Sequence, residues 1–388
     1  MNAARVLTLA PISGPIYNPA PASIAALPAI FSLATVSPRR RYSQRQIYDV
    51  LSKHWEPYRH PRIEQVFMNS DIDFRNLCLD IESFAGNESI DEMHDRFVKG
   101  ATAMGTAAIR SALIGSGLSP DEIDFLVVAT CTGYICPGLS AVYAKEVGFS
   151  NRLQRADLVG MGCAGALPAL QRAHDFVKAN PGKKALVVTV EVCSACYYLD
   201  DSLETIIGNA ICADGAAAMV VGMRDGDLEM GDEVGLEEEV YPRIVGFRTL
   251  LETSYIDKVG FQQKEGRLRI VLSKDLRDTA GGLVRQVVDG ILDEHGLQQE
   301  DISHWILHPG GRKIIDAVQA ELGLKDDQIR HSKSVLRNFG NMSSPTVLFV
   351  LDELTRSSAE ADRPQPCDLG IMIAMGPGLA VEGALLQW

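Results

Sequence analysis

The sequence predicts an α/β fold built from two similar halves. Short apolar runs that suit buried strands alternate along the chain with amphipathic helical patterns. The second half repeats the order of the first, and Cys163 and Asn341 take matching places, each just before a helix that two strands follow. A duplicated unit of this kind brings both helix starts close to a pseudo-twofold axis. We therefore expect these two distant residues to share one pocket.

Composition and charge limit the kinds of protein this can be. The chain has 388 residues, 46% of them hydrophobic, which is enough to bury a large core. Its net charge of −13 disfavours a nucleic acid or an anionic membrane surface as partner. Its eight cysteines lie mostly in apolar or small-residue segments, unlike a secreted disulfide framework. No apolar run reaches the length of a membrane span. We expect a cytoplasmic protein without stable membrane insertion.

Two segments are expected to lie outside the repeated units. Residues 1–28 are predicted to form an N-terminal extension, and their five prolines interrupt any helical core of a signal peptide. The acidic segment 225–239 is predicted to be a solvated loop between the halves. These boundaries place the first half at 29–235, with the cysteine, and the second at 236–388, with the histidine and asparagine.

The apolar patterns predict the elements of both halves in order. In the first half we expect a strand at 29–36, a helix from Ser43, a helix at 93–114, a strand at 123–130, a short helix, a strand at 156–159, a helix after Cys163, and strands at 185–192 and 216–222. In the second half we expect a helix at 279–295, a strand at 303–307, helices at 312–322 and 343–354, and strands at 369–374 and 379–386. Residues 60–90 show no clear pattern.

Cys163 is the first candidate for chemistry. It lies between an apolar strand and an amphipathic helix, among small residues that would let a carbonyl group approach. A thiol at a helix N-terminus faces unpaired N–H groups and the positive end of the dipole, which lower its pKa and favour the thiolate. The alternative is a buried structural cysteine, which is common because free cysteine is among the most buried residue types.

His308 and Asn341 complete a possible catalytic set. His308 ends a predicted strand, where open α/β sheets present ligand-facing residues, and Asn341 could otherwise serve as a helix cap. Together with Cys163 they would supply a thiolate nucleophile, its base or ion-pair partner, and an oxyanion donor. His304 stands four residues before His308, but on a strand and without a carboxylate ligand pattern, so no metal site is expected.

Four sequence strings carry a family resemblance. They are Gly162-Cys163, Leu307-His308-Pro309-Gly310-Gly311, Gly340-Asn341-Met342-Ser343-Ser344 and Met375-Gly376-Pro377-Gly378. In this order and spacing they resemble the type III polyketide synthases, the chalcone synthase-like enzymes of the thiolase superfamily. The resemblance covers residues 29–388 and implies a thiolase-like fold with a duplicated αβαβα five-layer core.

The resemblance also implies a reaction. Cys163 would carry the starter and the growing polyketide as a thioester, while His308 and Asn341 would stabilise the charge formed when malonyl-CoA loses CO2. CoA thioesters are the substrates, and no metal or organic cofactor is implied because the chemistry needs only desolvation and hydrogen-bond donors. A homodimer is implied as well, with Cys136 meeting the partner subunit near the cavity.

Further positions are implied to bind substrate. The residues that correspond to the family's acyl pocket and cyclisation loop are Cys131, Thr132, Cys136, Cys193, Cys196, Cys212, Ile270, Ser343, Met375, Gly376, Pro377 and Gly378. Cys193 and Cys196 have the spacing of a redox pair, but they follow a strand rather than open a helix, which favours pocket lining. Of the basic residues expected to contact CoA phosphates, Arg62 alone clearly matches.

Departures from the family pattern predict the starter. Cys212 and Ile270 stand where plant members carry gatekeeper phenylalanines. These smaller side chains would leave room for an acyl chain, whose burial is favourable by about 0.8 kcal/mol per methylene group. We therefore expect a medium- to long-chain acyl starter, delivered by CoA or by an acyl-carrier protein, and an alkylresorcinol or alkylpyrone product.

Several alternatives stay open at this point. A synthase of a dihydroxyphenylacetyl thioester from malonyl units alone is also similar, and so is a ketoacyl synthase of the fatty-acid-initiation type. A non-catalytic scaffold would not need all three polar residues. A papain-like protease uses the same three residue types but would show a pro-segment and local signatures that are absent here.

Overall fold

A nine-stranded mixed sheet is the centre of the described molecule. The computed structural model describes residues 26–224, 241–272, 276–359 and 362–388. The strands are β1 (Leu27–Val36), β2 (Arg41–Ser43), β3 (Phe74–Asn76), β4 (Phe125–Ala129), β5 (Gln154–Leu158), β6 (Ala185–Val192), β7 (Asp214–Arg224), β8 (Arg243–Leu251), β9 (Val259–Lys264), β10 (Arg267–Leu272), β11 (Ile302–Leu307), β12 (Leu369–Gly376) and β13 (Ala380–Gln387). The helices are α1 (Gln44–His54), α2 (Pro61–Met68), α3 (Ile90–Ser116), α4 (Leu139–Val147), α5 (Ala166–Ala179), α6 (Leu203–Ile211), α7 (Leu276–His295), α8 (Arg312–Leu322), α9 (Arg330–Phe339) and α10 (Thr346–Thr355).

The two predicted halves meet in the middle of this sheet. Its order from edge to edge is β11, β12, β13, β8, β1, β7, β6, β4, β5. The junction is an antiparallel contact in which Ala29 of β1 lies opposite Arg243 of β8. In the first half β4 pairs in parallel with β6 and β6 pairs antiparallel with β7, and in the second half β11, β12 and β13 repeat this pattern. The duplication predicted from the sequence is confirmed.

Alternate side chains along the strands belong to different cores. In β4, Val127 packs into a central cluster around α5 and α10, whereas Leu126 packs into an outer cluster with α3. In β12, Met372 joins the same central cluster, and Ile371 joins a second outer cluster with α7 and α8. The layers are therefore α, β, α, β, α, as expected. Burial on both faces explains why these strands are continuously apolar in sequence.

The strand β5 breaks the repeat between the two halves. The elements α3, β4, α4, α5, β6 and β7 recur in order as α7, β11, α8, α10, β12 and β13, but β5 has no strand counterpart. The helix α9 follows α8 instead, with Val335 and Leu336 buried. Ser332 on α9 donates a hydrogen bond to the carbonyl of Leu307 at 2.8 Å. A helix thus packs beside the edge of the second half.

Insertions after the strands build the walls above the sheet. Residues 37–89 follow β1 and contain α1, α2 and the small sheet of β2 and β3. Residues 193–213 separate β6 from β7 and contain α6, whereas a short turn joins β12 to β13. The β9–β10 hairpin follows β8. The apolar pattern did not predict α2, α6 or this hairpin, because short segments lack a full period.

Some predicted boundaries change. The strand β1 begins at Leu27, so positions 27 and 28 belong to the sheet rather than to the N-terminal extension. The strand β5 is largely exposed because it forms a sheet edge. Residues 1–25, the acidic segment 225–239 and the predicted boundary at 235/236 lie outside the described residues. Within the described ranges, no helix combines the length and the apolar character needed to cross a bilayer.

Candidate active site

Cys163 lies in a tight turn between β5 and α5. The turn is a single 3-10 segment, Gly162–Ala164, and α5 begins only at Ala166. Gly160 and Gly162 have φ angles of 80° and 50°, which favour glycine. A Cβ atom on Gly162 would lie 2.4 Å from Cδ of Pro377. Glycine at 162 therefore allows the turn to pack directly against the loop that follows β12.

Asn341 joins Cys163 to the second half. The Cys163 thiol lies 4.0 Å from Oδ1 of Asn341, although 178 positions separate the two in sequence. The same oxygen accepts a hydrogen bond from the Ser343 amide at 2.8 Å, and Nδ2 donates to the carbonyl of Gly310 at 3.1 Å. The predicted meeting of Cys163 and Asn341 is confirmed.

His308 belongs to the same constellation through Gly310. A Cβ atom on Gly310 would lie 3.7 Å from Nε2 of His308, and Gly310 is the residue whose carbonyl Asn341 contacts. The imidazole is buried, and neither ring nitrogen has a hydrogen-bond partner among the described residues. Burial lowers the pKa of His308 to about 4. The ring is therefore neutral at physiological pH, with one nitrogen able to accept a proton.

The expected thiolate at Cys163 is not the resting form. Burial raises the pKa of Cys163 to about 12, although hydrogen bonds with Ser343 and Asn341 act in the opposite direction. The physical reason is that the free energy needed to remove a thiolate from water exceeds the stabilisation that these two hydrogen bonds provide. The expectation from a helix N-terminus was wrong, because α5 starts three residues later and burial dominates. The resting site holds a thiol and a neutral imidazole.

Several implied pocket residues surround the thiol. The Cys131 thiol lies 3.4 Å from Oγ of Ser343, and burial raises the pKa of Cys131 well above its usual range. The Cys196 thiol lies 3.7 Å from the carbonyl oxygen of Thr132, to which it donates. Cys131, Ser343 and Cys163 thus form one cluster, with Thr132 and Cys196 beside it.

A buried carboxylate under this cluster was missed by the sequence analysis. Glu191 on β6 is fully buried, and burial raises its pKa. Its Oε2 accepts hydrogen bonds from the Cys131 and Thr132 amides at 3.0 and 3.1 Å and from the Thr132 hydroxyl at 2.8 Å. Its Oε1 accepts one from Ser344 at 2.7 Å. A single charge within an apolar strand was the signal that could have revealed it.

Cys212 is joined to Asn341 by backbone pairing. The two residues form an isolated bridge, in which Asn341 donates to the Ile211 carbonyl at 2.9 Å and Ala213 donates to the Asn341 carbonyl at 2.8 Å. The Cys193 and Cys212 thiols share a hydrogen bond, which lowers the pKa of Cys212. The predicted gatekeeper position therefore adjoins Asn341, the predicted oxyanion donor.

Ile270 approaches the same wall from the β9–β10 hairpin. A Cβ atom on Gly208 in α6 would lie 2.3 Å from Cδ1 of Ile270, so glycine leaves a notch for this side chain. The Gly208 carbonyl in turn accepts a hydrogen bond from the Cys212 amide at 2.9 Å. The two predicted gatekeeper positions thus both contact Gly208.

The end of β12 and the loop after it cover the Cys163 turn. Met375 and His308 line the same small apolar cavity. A Cβ atom on Gly376 would lie 2.5 Å from the Met161 carbonyl oxygen, and Gly378 has a φ angle of 69°. The implied cyclisation loop, which also contains Pro377, therefore adjoins both Cys163 and His308.

Two implied residues lie away from this cluster. Cys136 is exposed on the loop after β4, and Arg62 is exposed in the first turn of α2. No contact within the described residues joins either side chain to Cys163. Their implied roles concern a partner subunit and the CoA group.

Two protein families and several relatives match this chain over most of its length. Residues 86–293 match the family model described as FAE1/Type III polyketide synthase-like protein, and residues 251–388 match that of chalcone and stilbene synthases, C-terminal domain. The chain is 35% identical over 352 residues to 3,5-dihydroxyphenylacetyl-CoA synthase of Amycolatopsis orientalis, covering 89% of this chain and 90% of the relative. The chain belongs to the type III polyketide synthase family.

Other members of the type III polyketide synthase family are similar over nearly the whole chain. The alpha-pyrone synthesis polyketide synthase-like Pks18 of Mycobacterium tuberculosis is 32% identical, with coverage of 95% of this chain and 93% of the relative. The crystal structure of PKS-I from the brown alga Ectocarpus siliculosus has a TM-score of 0.83 at 29% identity and covers 94% of this chain and 98% of that one. The thiolase-like fold is confirmed, and the protein is a decarboxylating condensing acyltransferase.

Proposed function

We propose that this type III polyketide synthase loads a medium- to long-chain fatty acyl starter on Cys163. It extends the starter with malonyl-CoA and cyclises the product to an alkylresorcinol or alkylpyrone. The observation that carries the proposal is the position of Cys212. This residue has a small side chain, and its backbone pairs with that of Asn341. An acyl chain bound to Cys163 could pass the small Cys212 side chain, whereas a phenylalanine ring at this position would obstruct it.

The loading step follows from the two neutral groups. The Cys163 sulfur attacks the starter carbonyl as the thiol proton passes to a free nitrogen of His308. The new carbon–sulfur bond forms, the bond to the CoA sulfur breaks, and the imidazolium returns its proton to the CoA thiolate. Because His308 is neutral before the reaction, the ion pair exists only while substrate is being processed.

The extension step uses the same groups differently. The bond between the malonyl α-carbon and its carboxylate breaks, CO2 leaves, and the electron pair becomes an enolate. The Asn341 amide and a protonated His308 nitrogen would donate hydrogen bonds to the enolate oxygen. The α-carbon then attacks the Cys163 thioester, and the Cys163 thiolate leaves. We propose that this cycle needs no metal or organic cofactor, so EDTA should leave the rate unchanged.

A second candidate for the starter is a malonyl unit itself. It is favoured by the relatives named 3,5-dihydroxyphenylacetyl-CoA synthase, which are 33–35% identical to this chain. The two candidates differ in what must pass Cys212. A fatty acyl chain needs an open path there, whereas a malonyl-derived starter does not.

Mass spectrometry of products distinguishes the candidates. Wild-type enzyme is supplied with malonyl-CoA and a series of acyl-CoA starters from acetyl to palmitoyl. Cys212→Phe should cut turnover of long starters by about one to two orders of magnitude, because overpacking a formed cavity costs about 1–3 kcal/mol. Short starters should change little. Cys212→Ser keeps the size and removes the thiol, so it should match wild type. Equal losses at every length, or a wild-type product from malonyl-CoA alone, would favour the second candidate.

The CoA group is proposed to contact Arg62 at the exposed start of α2. Arg62→Ala should raise KM for CoA thioesters more than for short pantetheine-like thioesters that lack the phosphates. Arg59→Ala is the control, since Arg59 is also exposed but donates to the Ser52 carbonyl at 3.0 Å. Equal KM changes for both thioesters would argue for a starter delivered by an acyl-carrier protein through another surface.

We propose a homodimer as the working form. Tyr134 and Val159 are 71% and 56% exposed, and Cys136 is exposed beside Tyr134. Tyr134 and Cys136 follow β4 and Val159 follows β5, so the apolar surface lies at one end of the sheet beside the nucleophile turn. Light scattering at micromolar concentration tests the proposal. A stable, active monomer would contradict it.

A further inference from the structure

Arg75 is a buried cation that takes no part in the proposed loading and extension steps. It lies on β3, and its side chain is 0% exposed. No carboxylate pairs with it among the described residues. One nitrogen, Nη1, makes all its hydrogen bonds, whereas Nε and Nη2 have no partner among those residues. A buried charge in this state is costly, so its position calls for a reason beyond packing.

The three acceptors of Arg75 surround Cys212. Nη1 donates to the Cys212 carbonyl at 2.8 Å, to the Asn209 carbonyl at 2.8 Å and to the Tyr197 hydroxyl at 2.5 Å. Tyr197 itself donates to the Cys212 carbonyl at 2.6 Å. The carbonyl of the residue that pairs with Asn341 is thus held by two side-chain donors at once.

The stem of Arg75 reaches the other side of the same bridge. A Cβ atom on Gly340 would lie 2.9 Å from Cγ of Arg75 and 3.0 Å from the Ile211 carbonyl oxygen. Gly340 has a φ angle of 74° and directly precedes Asn341. Arg75 therefore contacts both strands of the Cys212–Asn341 bridge, one through hydrogen bonds and the other through its methylene groups.

We propose that Arg75 is a positioning residue for the condensing reaction. It holds the Cys212–Asn341 bridge so that the Asn341 amide faces the forming enolate and the Cys212 side chain faces the starter. This proposal rests on the proposed role of Asn341 as an oxyanion donor. Arg75 touches no substrate; it acts through the backbone on both sides of the bridge.

The charge of Arg75 also acts on the Cys212 thiol. After the hydrogen bond with Cys193, the Arg75 charge is the next influence that lowers the pKa of Cys212. The titratable and charged groups around Cys212 are Arg75, Cys193, Asp214, Glu191, Cys163, Cys196 and Tyr197. Of these, Asp214 and Glu191 act against the thiolate. Removing Arg75 should therefore move Cys212 labelling to higher pH, a change that a purely structural role would not produce.

The test compares variants of Arg75 in the full-length enzyme. Arg75→Met should lower kcat for malonyl-CoA decarboxylation by about 10-fold or more with KM within about 3-fold, since misplacing one oxyanion donor costs up to 10²–10³ in kcat. Arg75→Lys should recover part of this loss, because one ammonium offers three donors to the three acceptors that now meet at Nη1. Tyr197→Phe removes only one donor to Cys212 and should lose less than Arg75→Met.

The matched control is Arg224→Met. Arg224 is a half-buried arginine at the opposite end of β7, where it donates to the carbonyls of Tyr241 and Ile30 at 3.0 and 3.2 Å. Arg224→Met should leave kcat unchanged, even if it lowers the melting temperature. If Arg75→Met does not fold, Arg75→Lys and Tyr197→Phe carry the test through the same kcat and labelling measurements.

The outcomes separate this proposal from the proposed function. If wild type does not decarboxylate malonyl-CoA, the proposed function fails. If wild type is active and the Arg75 variants keep its kcat and its Cys212 labelling profile, the positioning role is wrong. A loss confined to KM, or one shared with Arg224→Met, would likewise overturn it.

Discussion

At the scale of single residues, burial decides the protonation of Cys163 and His308, the two proposed catalytic groups. His308 is buried and Cys163 is half-buried, and burial disfavours the charged form of each. A thiol and a neutral imidazole are the stable combination in such a site.

The first prediction concerns the reactivity of Cys163. Because the pKa of Cys163 is raised to about 12, its alkylation by iodoacetamide should rise by about tenfold per pH unit between pH 7 and 9.5 without a plateau. Peptide mass spectrometry follows Cys163 separately, with exposed Cys367 of the same protein as an internal reference. A plateau below pH 8 would indicate a resting thiolate and contradict the neutral pair.

The second prediction concerns acid stability. His308 has a pKa of about 4 when folded and near the ordinary value of 6.5 when unfolded, so the unfolded chain binds the extra proton between these pH values. The free energy of unfolding should therefore fall as pH drops from 6.5 to 4, by up to about 3 kcal/mol from this group. His308→Gln should show a shallower decline in urea titrations. His54→Gln, at an exposed position, controls for loss of an imidazole elsewhere in the chain. An unchanged slope in His308→Gln would contradict the prediction.

At the scale of elements, the site depends on how closely two turns approach. The Gly162–Ala164 turn and the loop after β12 touch through Gly162 and Pro377. If the two turns moved apart, the position of Cys163 would change. The packing of one turn against the other is therefore part of the active site.

The third prediction uses two glycines of the same turn region. Gly160→Ala and Gly162→Ala both place a side chain at positive φ, with similar backbone strain. Only at Gly162 would the new Cβ meet Pro377, whereas no atom lies within 4 Å of it at Gly160. Gly162→Ala should cost about 1–3 kcal/mol more and lower condensing activity further. Melting temperatures and product formation for both variants test this; equal effects would show that the contact is unimportant.

At the scale of the whole molecule, the two halves share one core and one buried charge. The central cluster contains inner side chains of both halves, around α5 and α10. Glu191 adds a polar link, because its carboxylate accepts hydrogen bonds from Thr132 in the first half and from Ser344 in the second. The active site lies across this junction, so its geometry depends on both halves.

The fourth prediction measures that polar link. Glu191→Gln turns one acceptor oxygen into a donor facing other donors, which should destabilise the fold by about 1–3 kcal/mol and impair condensation. Glu382→Gln is the control. Glu382 is also buried, but its carboxylate accepts one hydrogen bond among the described residues, from Thr249. A smaller loss of stability in Glu191→Gln than in Glu382→Gln would contradict the bridging role.

Much of the architecture could be read from the chain. Strand β6 and helix α8 have the predicted bounds, and Ser43 caps α1 as expected. The duplication correctly predicted that Cys163 and Asn341 meet. These features were accessible because apolar periodicity and capping are local, and because a repeated order of elements carries its own symmetry.

Other features were decided by the tertiary structure. The protonation of Cys163, the support from Glu191 and Arg75, and the pairing of Cys212 with Asn341 all depend on distant segments. A helix dipole can be inferred from sequence, but the burial that outweighs it cannot. The sequence by itself determined which groups are available for the reaction. The packing of the two halves decided their charge and position, because desolvation and close contact depend on what surrounds a residue in space.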